Sequence, residues 1–364
     1  MTNIQSISPA GIADSSNGEP GARSRVDWVD YAKGFCIILV VMMHSTLRMG
    51  DTMNGTGWMH YVVEFARPFR MPDFFLISGL FLANVIDRDW RLFLDRKVIH
   101  FFYFYVLWVL IQFAFKTPFY LADGESGLFI LGQYFMTFVQ PFGTLWFIYL
   151  LPVFFVVTKL LRNQPWYILI AVAAFMEIIH IKTGWVTVDE LGGRYFYFVS
   201  GYLFAPHIFR FASWAMKNAS ISVLALLGWG LINGVLVFSG YSQLPFVSLM
   251  LGSLGAFAVV LASSLLSKIN MMKFLRYLGE NSIVVYLAFF FPMGVFRLLL
   301  ARYWPELDIG TMSLIVTFFG VLVPVIMLKT VQFIGFGHFL FSRPKWAYLS
   351  LTRSKPQAAL HPAE

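Results

Sequence analysis

A lysine and a histidine stand eleven residues apart in the first apolar segment, Lys33 and His44. On a helix this spacing is three turns plus about 20°, so both side chains share one face, about 16 Å apart along the axis. An ionisable residue deep in lipid is costly and usually faces the bundle interior. Because histidine titrates near neutral pH, His44 is a candidate general base, and the alternative is a packing histidine hydrogen-bonded across helices.

A second group of charges follows in the stretch 64–79, where Glu64, Arg67, Arg70 and Asp73 lie close together in sequence. Such a cluster beside an apolar segment predicts either a polar substrate site or a buried ion pair. Ser78 precedes a glycine, a pair that favours close helix packing and is more often structural than catalytic.

The third group is basic and consists of Arg91, Arg96, Lys97 and His100. Cations at a membrane surface can bind the phosphates of a nucleotide. The alternative interpretation is ordinary loop charge next to a membrane-spanning segment.

The elements that must position these residues follow from composition. Of the 364 residues, 58% are hydrophobic, 18% aromatic and only 13% charged. A soluble domain carries about 25% charged residues, so lipid is the expected solvent. The net charge is +8, and the basic residues lie between apolar segments, which indicates loops rather than a nucleic-acid surface. With a single cysteine, Cys36, a cysteine-based zinc site is excluded, and no metal site is predicted.

The fold class expected is all-α, a polytopic transmembrane helical bundle of about ten spans with both termini cytoplasmic. Eighteen of the 27 Lys and Arg residues then fall on the inner side. Segment 127–140 is apolar but short, and is interpreted as interfacial or re-entrant. The domain prediction is a disordered cytoplasmic tail over 1–24, a membrane domain over 25–341 and a second cytoplasmic tail over 342–364. The predicted spans are 34–49, 70–87, 98–115, 143–161, 166–182, 194–212, 219–239, 244–267, 280–300 and 309–335.

An ordered set of short motifs carries a resemblance. The motifs are Lys33-x10-His44, MPDFFLISG over 71–79, the basic run at Arg96–His100, Leu145-Trp146-Phe147 and LGENSIVVYL over 278–287. Together they resemble the acyltransferase 3 family, bacterial inner-membrane proteins that O-acylate glycans and related extracytoplasmic molecules. The resemblance covers about residues 25–335.

The resemblance implies an acyl-CoA donor, acetyl-CoA in the commonest case, and no permanently bound cofactor. His44 takes the position of the essential histidine of the family, and Lys33 stands where the family has arginine. The candidate catalytic set is His44, Lys33 and Asp30. His44 either deprotonates the acceptor hydroxyl or carries the acyl group itself, and the sequence leaves both routes open. A late histidine of the family is replaced here, where Ala288 and Phe289 stand.

The donor phosphates are expected on Arg91, Arg96, Lys97 and His100. The acceptor side is expected to include Glu64, Arg67, Arg70 and Asp73, with Trp146 and Tyr286 as aromatic platforms. Ser78 or Asn281 is the expected donor to the developing oxyanion. The expected partners are membrane lipid and a glycan or small hydroxylated acceptor, without nucleic acid. Two alternatives are a transporter or flippase of a polar substrate, and a non-catalytic accessory protein in polysaccharide export.

Overall fold

The computed structural model describes residues 26–141 and 143–349, and this part of the chain contains helices and no strand. The predicted tail over 1–24 lies outside the described residues. A π-helix, Asp95–Ile99, joins α4 to α5. The α-helices are α1 Asp27–Met53, α2 Trp58–Ala66, α3 Arg70–Leu80, α4 Trp90–Leu94, α5 His100–Ala122, α6 Gly127–Met136, α7 Trp146–Leu161, α8 Trp166–Ile178, α9 Val186–Leu203, α10 Ala205–Lys217, α11 Ala219–Phe238, α12 Val247–Ile269, α13 Lys273–Glu280, α14 Ser282–Ala288, α15 Phe290–Tyr303 and α16 Ile309–Ile334.

Six helices in the described residues are long and apolar enough to cross a membrane. A seventh span results if α14 and α15, which meet at an angle of 51°, count as one broken span. The all-helical membrane fold is thus confirmed, whereas ten spans are not, and the cytoplasmic placement of both termini stays a prediction. The six are Asp27–Met53, Trp90–Ala122, Gly143–Leu161, Ala219–Phe238, Val247–Ile269 and Ile309–Ile334.

Helix length is the physical cause of part of the difference in span number. Predicted spans 70–87 and 166–182 contain α3, with 11 residues, and α8, with 13. At 1.5 Å per residue these helices measure about 16–20 Å, short of the roughly 30 Å hydrocarbon core. Segment 127–140 forms α6, whose 10 residues are also too few to span.

The helix α1 lies at the centre of the bundle and packs against α3, α12, α13 and α16. Its backbone touches that of α13. A Cβ atom at Gly34 would lie 2.0 Å from the Leu275 carbonyl oxygen, and one at Gly279 would lie 1.7 Å from the Asp30 carbonyl oxygen. Only glycine allows this approach, which fixes the end of α1 that carries Lys33.

A second close crossing joins α3 to α9. A Cβ at Gly79 would lie 2.1 Å from the Phe198 carbonyl oxygen, and one at Gly201 would lie 2.1 Å from the Leu76 carbonyl oxygen. This contact holds the helix that begins at Arg70 against the helix that carries Glu190 and Arg194. The motif glycine after Ser78 therefore has a packing role, as its sequence context suggests.

Part of the segment predicted as the second tail, residues 342–349, packs on the bundle through hydrogen bonds to the π-helix. The Arg343 guanidinium donates to both carboxylate oxygens of Asp95 at 2.8 Å and to the Asp95 carbonyl at 2.7 Å. The Leu349 N–H donates to the same carboxylate at 2.9 Å. Both charged side chains are almost fully buried, so the pair anchors this segment beside Lys97.

Candidate active site

The first cavity, called here the histidine cavity, has a volume of about 190 Å³ and lies inside the bundle around His44. α1 contributes His44, α3 contributes Arg70, and α7 contributes Trp146. Glu190 and Arg194 of α9 complete the polar part of its wall. The imidazole packs on Phe289 with ring centroids 5.5 Å apart, so the histidine faces an interior space rather than lipid.

Arg70 supplies hydrogen-bond donors to this cavity. Its Nε and Nη1 atoms are buried, and neither has a hydrogen-bond partner among the residues that the structure describes. By contrast, Arg194 Nε donates to Glu190 Oε2 at 3.0 Å. Arg70 therefore has donor capacity available for a negatively charged oxygen near His44.

The second cavity, called the lysine cavity, has a volume of about 280 Å³ and lies toward the other end of α1. Lys33, Lys97, Ser78 and Ser282 are its polar residues, and the rest of the wall is aromatic or aliphatic. Lys97 Nζ lies 4.6 Å from the centroid of the Phe155 ring. This cavity combines an apolar interior with two cations.

Three aromatic side chains, Phe74, Phe147 and Tyr286, line both cavities and form a partition between them. The Phe147 ring centroid lies 5.2 Å from that of Phe74 and 5.7 Å from that of Tyr286. The Tyr286 hydroxyl donates to the Thr144 carbonyl, which holds its ring in place. Tyr286, predicted as a platform for a sugar, thus lies at the boundary between the cavities.

The third cavity, called the polar cavity, has a volume of about 280 Å³ and shares Glu190 and Arg194 with the histidine cavity. Its wall also includes Arg67, Glu177 and Asp189. The Thr183 N–H, donating at 2.6 Å, holds the pKa of Asp189 below its usual value, and the Thr183 hydroxyl and the Gly184 N–H add to this effect.

The basic cluster predicted from sequence is only partly brought together. Lys97 reaches the lysine cavity, whereas Arg91 and Arg96 are exposed and lie outside its described wall. His100 packs edge-on against Phe101 and Phe104, with centroids 5.3 and 5.2 Å apart, and is also outside that wall. Arg96 and Lys97 are adjacent in the π-helix, yet their side chains lie in different surroundings.

The predicted acceptor cluster is divided in the same way. Arg70 lines the histidine cavity and Arg67 the polar cavity, where Arg67 also pairs with the half-exposed Glu64 at 3.2 Å. Asp73 is 1% exposed and lies outside the three cavity walls, and neither carboxylate oxygen has a partner in the described residues.

The remaining predicted residues have local partners. Asp30 lies 3.4 Å from Lys33 Nζ, at the far end of α1 from His44. The Ser78 hydroxyl faces the lysine cavity and donates to the Phe74 carbonyl at 2.7 Å. The Asn281 amide donates to the Tyr277 carbonyl at 2.9 Å, outside the three cavity walls.

Sequence reasoning did not single out Glu190 and Arg194 as site residues, although both line two of the cavities. A signal for them exists, since an acid and a base four residues apart precede a strongly apolar stretch. Phe74 and Phe147 belong to two of the sequence motifs, but they form a partition only because α3, α7 and α14 meet there.

Comparison with known proteins decides the family. Residues 26–330 match the model of a family described as an acyltransferase domain. The chain belongs to the acyltransferase 3 family. This confirms the resemblance drawn from the motifs, and it identifies the chain as an integral membrane protein of that family.

Two curated relatives of this acyltransferase 3 protein span most of its length. The inner membrane protein YcfT of Escherichia coli (strain K12) is 22% identical over 355 residues, covering 87% of this chain and 96% of YcfT. The nodulation protein NolL of Sinorhizobium fredii (strain NBRC 101917 / NGR234) is 27% identical over 308 residues, covering 76% of this chain and 80% of NolL. No solved structure matches the chain.

Proposed function

We propose that this protein transfers an acyl group, acetyl in the simplest case, from a cytoplasmic acyl-CoA to a hydroxyl group of an extracytoplasmic glycan or related acceptor. Its place would be the bacterial inner membrane, which is supported by its relative, the inner membrane protein YcfT. The observation that carries the proposal is the pair of cavities along α1, one at Lys33 and one at His44, with only an aromatic partition between them.

The lysine cavity suits the donor. Phosphates of acyl-CoA are anionic and would lie near Lys33 and Lys97, while the flexible arm of the donor is compatible with the aromatic and aliphatic wall. To bring the thioester to His44, the arm would pass between Phe74, Phe147 and Tyr286.

The histidine cavity suits the chemical step. The acceptor oxygen attacks the thioester carbonyl carbon while the His44 imidazole accepts the hydroxyl proton, and the C–S bond then breaks as the proton passes to the leaving thiolate. In the alternative route, an imidazole nitrogen attacks first and expels the thiolate, which takes the imidazole proton. The acceptor oxygen then displaces the acyl-imidazole nitrogen, and the hydroxyl proton passes to the released imidazole. Both routes place His44 at the reacting atoms.

Arg70 is the best-placed donor to the oxyanion that either route creates. Its buried Nε and Nη1 are unpartnered in the described residues, and it lines the same cavity as His44. The two residues expected in this position from sequence are less suitable, because Ser78 and Asn281 already donate to backbone carbonyls.

The test is rescue of surface O-acetylation. A deletion strain would be complemented with the wild type, with His44→Ala or with His207→Ala, whose histidine is exposed and outside the three cavity walls. We expect wild type and His207→Ala to restore the O-acetyl content of surface glycans and His44→Ala to restore none, at equal protein levels. O-acetylation that returns with His44→Ala would contradict the proposal.

One observation favours transport as a second candidate, namely the 51° break between α14 and α15 next to Tyr286. Transporters commonly place substrate sites at such discontinuous helices. The two functions separate experimentally, since uptake or flipping of a glycan that persists in His44→Ala would support transport, and transfer of label from acetyl-CoA that is lost in that variant would support acyl transfer.

A further inference from the structure

The polar cavity has no part in the reaction as described so far, yet it shares two α9 residues with the histidine cavity. Three carboxylates, three Lys or Arg side chains and His180 line it, so the carboxylate charges and the Lys and Arg charges cancel formally. They are Glu177, Asp189, Glu190, Arg67, Lys182 and Arg194. A wall that is highly polar but balanced in charge favours a neutral ligand rich in hydrogen-bonding groups over an anion or a cation.

Glu177 provides the specific sign of a ligand. Its side chain is 5% exposed, and Oε1 accepts from the Ser248 hydroxyl at 2.9 Å and from the Tyr197 hydroxyl at 3.3 Å. Its other oxygen, Oε2, is buried without a hydrogen-bond partner in the described residues. A buried acceptor in this state is unusual because leaving it unpaired destabilises the protein.

The other carboxylates of the cavity are already engaged. Asp189 accepts three hydrogen bonds from Thr183 and Gly184, and Glu190 pairs with Arg194. Three helices, α8, α9 and α12, cooperate to hold Glu177 through Tyr197 and Ser248. The fold thus holds Glu177 at the wall of the cavity with the hydrogen-bonding capacity of one carboxylate oxygen unused in the described residues.

We infer that the polar cavity is the acceptor subsite and that it takes a neutral sugar unit whose hydroxyl donates to Glu177 Oε2. The inference rests on the proposed function and assigns the substrate class to this part of the site. The volume of 280 Å³ equals the share of about nine liquid waters at ~30 Å³ each, which accommodates one monosaccharide unit. Glu190 and Arg194 line both the subsite and the histidine cavity, so an adjoining hydroxyl of the acceptor would reach His44 past this ion pair.

The test measures binding of neutral methyl glycosides (gluco, galacto and manno) to the full chain in nanodiscs by saturation-transfer NMR. Glu177→Gln keeps the size of the side chain and an oxygen for Tyr197 and Ser248, but replaces the free acceptor by an amide donor. We expect at least one glycoside to bind the wild type and to bind Glu177→Gln about tenfold more weakly. Ser248→Ala, which removes one hydrogen bond to Glu177 and one hydroxyl from the cavity wall but keeps Oε2 as an acceptor, is expected to weaken binding by a smaller factor.

The matched control is Glu125→Gln, the same change at an exposed loop position, which should bind glycosides like the wild type. CoA binding by each variant is measured in parallel. Equal glycoside binding by wild type and Glu177→Gln, or no binding of any glycoside by the wild type, would overturn the subsite. If the wild type did not bind CoA, the proposed function would be overturned instead, so the two failures are distinguishable.

Discussion

Lys33 and Lys97 project into a cavity whose wall is otherwise almost entirely aromatic and aliphatic, whereas the polar cavity beyond His44 is walled by carboxylates, basic side chains and hydroxyls. The two regions are separated by the aromatic partition and the histidine cavity. The protein therefore has two cavities of opposite polarity, each of which shares wall residues with the histidine cavity.

This contrast indicates how two unlike substrates could meet without mixing. A flexible thioester arm with an anionic head is compatible with a low-polarity chamber that has cations, and a hydroxylated acceptor is compatible with fixed hydrogen-bonding groups. Variants that damage one chamber should change the kinetics of one substrate only.

The largest effect is expected at the anchor of the donor side. In Arg343→Met the carboxylate of Asp95 loses its buried partner, a change that costs about 3–5 kcal/mol in proteins. We expect residues 343–349 to undock from the π-helix, seen as faster amide hydrogen exchange in this segment. Because Lys97 lies on that π-helix, KM for acyl-CoA should rise while KM for the acceptor stays unchanged.

Lys345→Met is the control for this experiment, since Lys345 lies two residues further on and is exposed. Its exchange and kinetics should match those of the wild type. An Arg343→Met protein with unchanged exchange over 343–349 would show that the ion pair does not hold the segment.

The second effect concerns Arg70 in the histidine cavity. Removing one oxyanion donor lowers turnover by about 10²–10³-fold in well-studied enzymes. We expect Arg70→Met to lower kcat by about this factor without changing KM for acyl-CoA, because Arg70 lies outside the lysine cavity. Steady-state kinetics with labelled acetyl-CoA measures it, and Arg302→Met, at an exposed position, serves as control. A rise in KM for acyl-CoA alone would place Arg70 on the donor side.

The smallest effect compares two adjacent cations, Lys97 and Arg96. A hydrogen bond to a charged group contributes about 1.5–3 kcal/mol, so Lys97→Met should raise KM for acyl-CoA by at least about tenfold. Arg96→Met should raise it less, because Arg96 is exposed and outside the wall of the lysine cavity. Equal effects would mean that the nucleotide binds at the membrane surface and not inside the chamber.

The sequence predicts the helical membrane fold and the shared face of Lys33 and His44, because both depend on local composition and helical periodicity. The number of spans was predicted less well. Apolar character shows that a segment prefers lipid, but it does not show where a helix ends, and α3 and α8 end after 11 and 13 residues.

The acceptor side could not be predicted for a related reason. Glu177, Tyr197 and Ser248 lie on three helices far apart in sequence, and no spacing rule brings them together. A short separation in sequence is no better guide, since Arg67 and Arg70 are three residues apart yet line different cavities, Arg67 between α2 and α3 and Arg70 at the start of α3. Periodicity assigns a side chain to a face, while the neighbouring helices determine what that face meets.

The unbroken α1 has a consequence for donor size. Lys33 and His44 belong to one rigid rod, and the backbone contact at Gly34 and Gly279 prevents that rod from sliding past α13. In the proposed reaction, the roughly 16 Å between them acts as a ruler. A truncated thioester with the same anionic head and a shorter arm would bind normally, but its acyl carbon would not reach the imidazole.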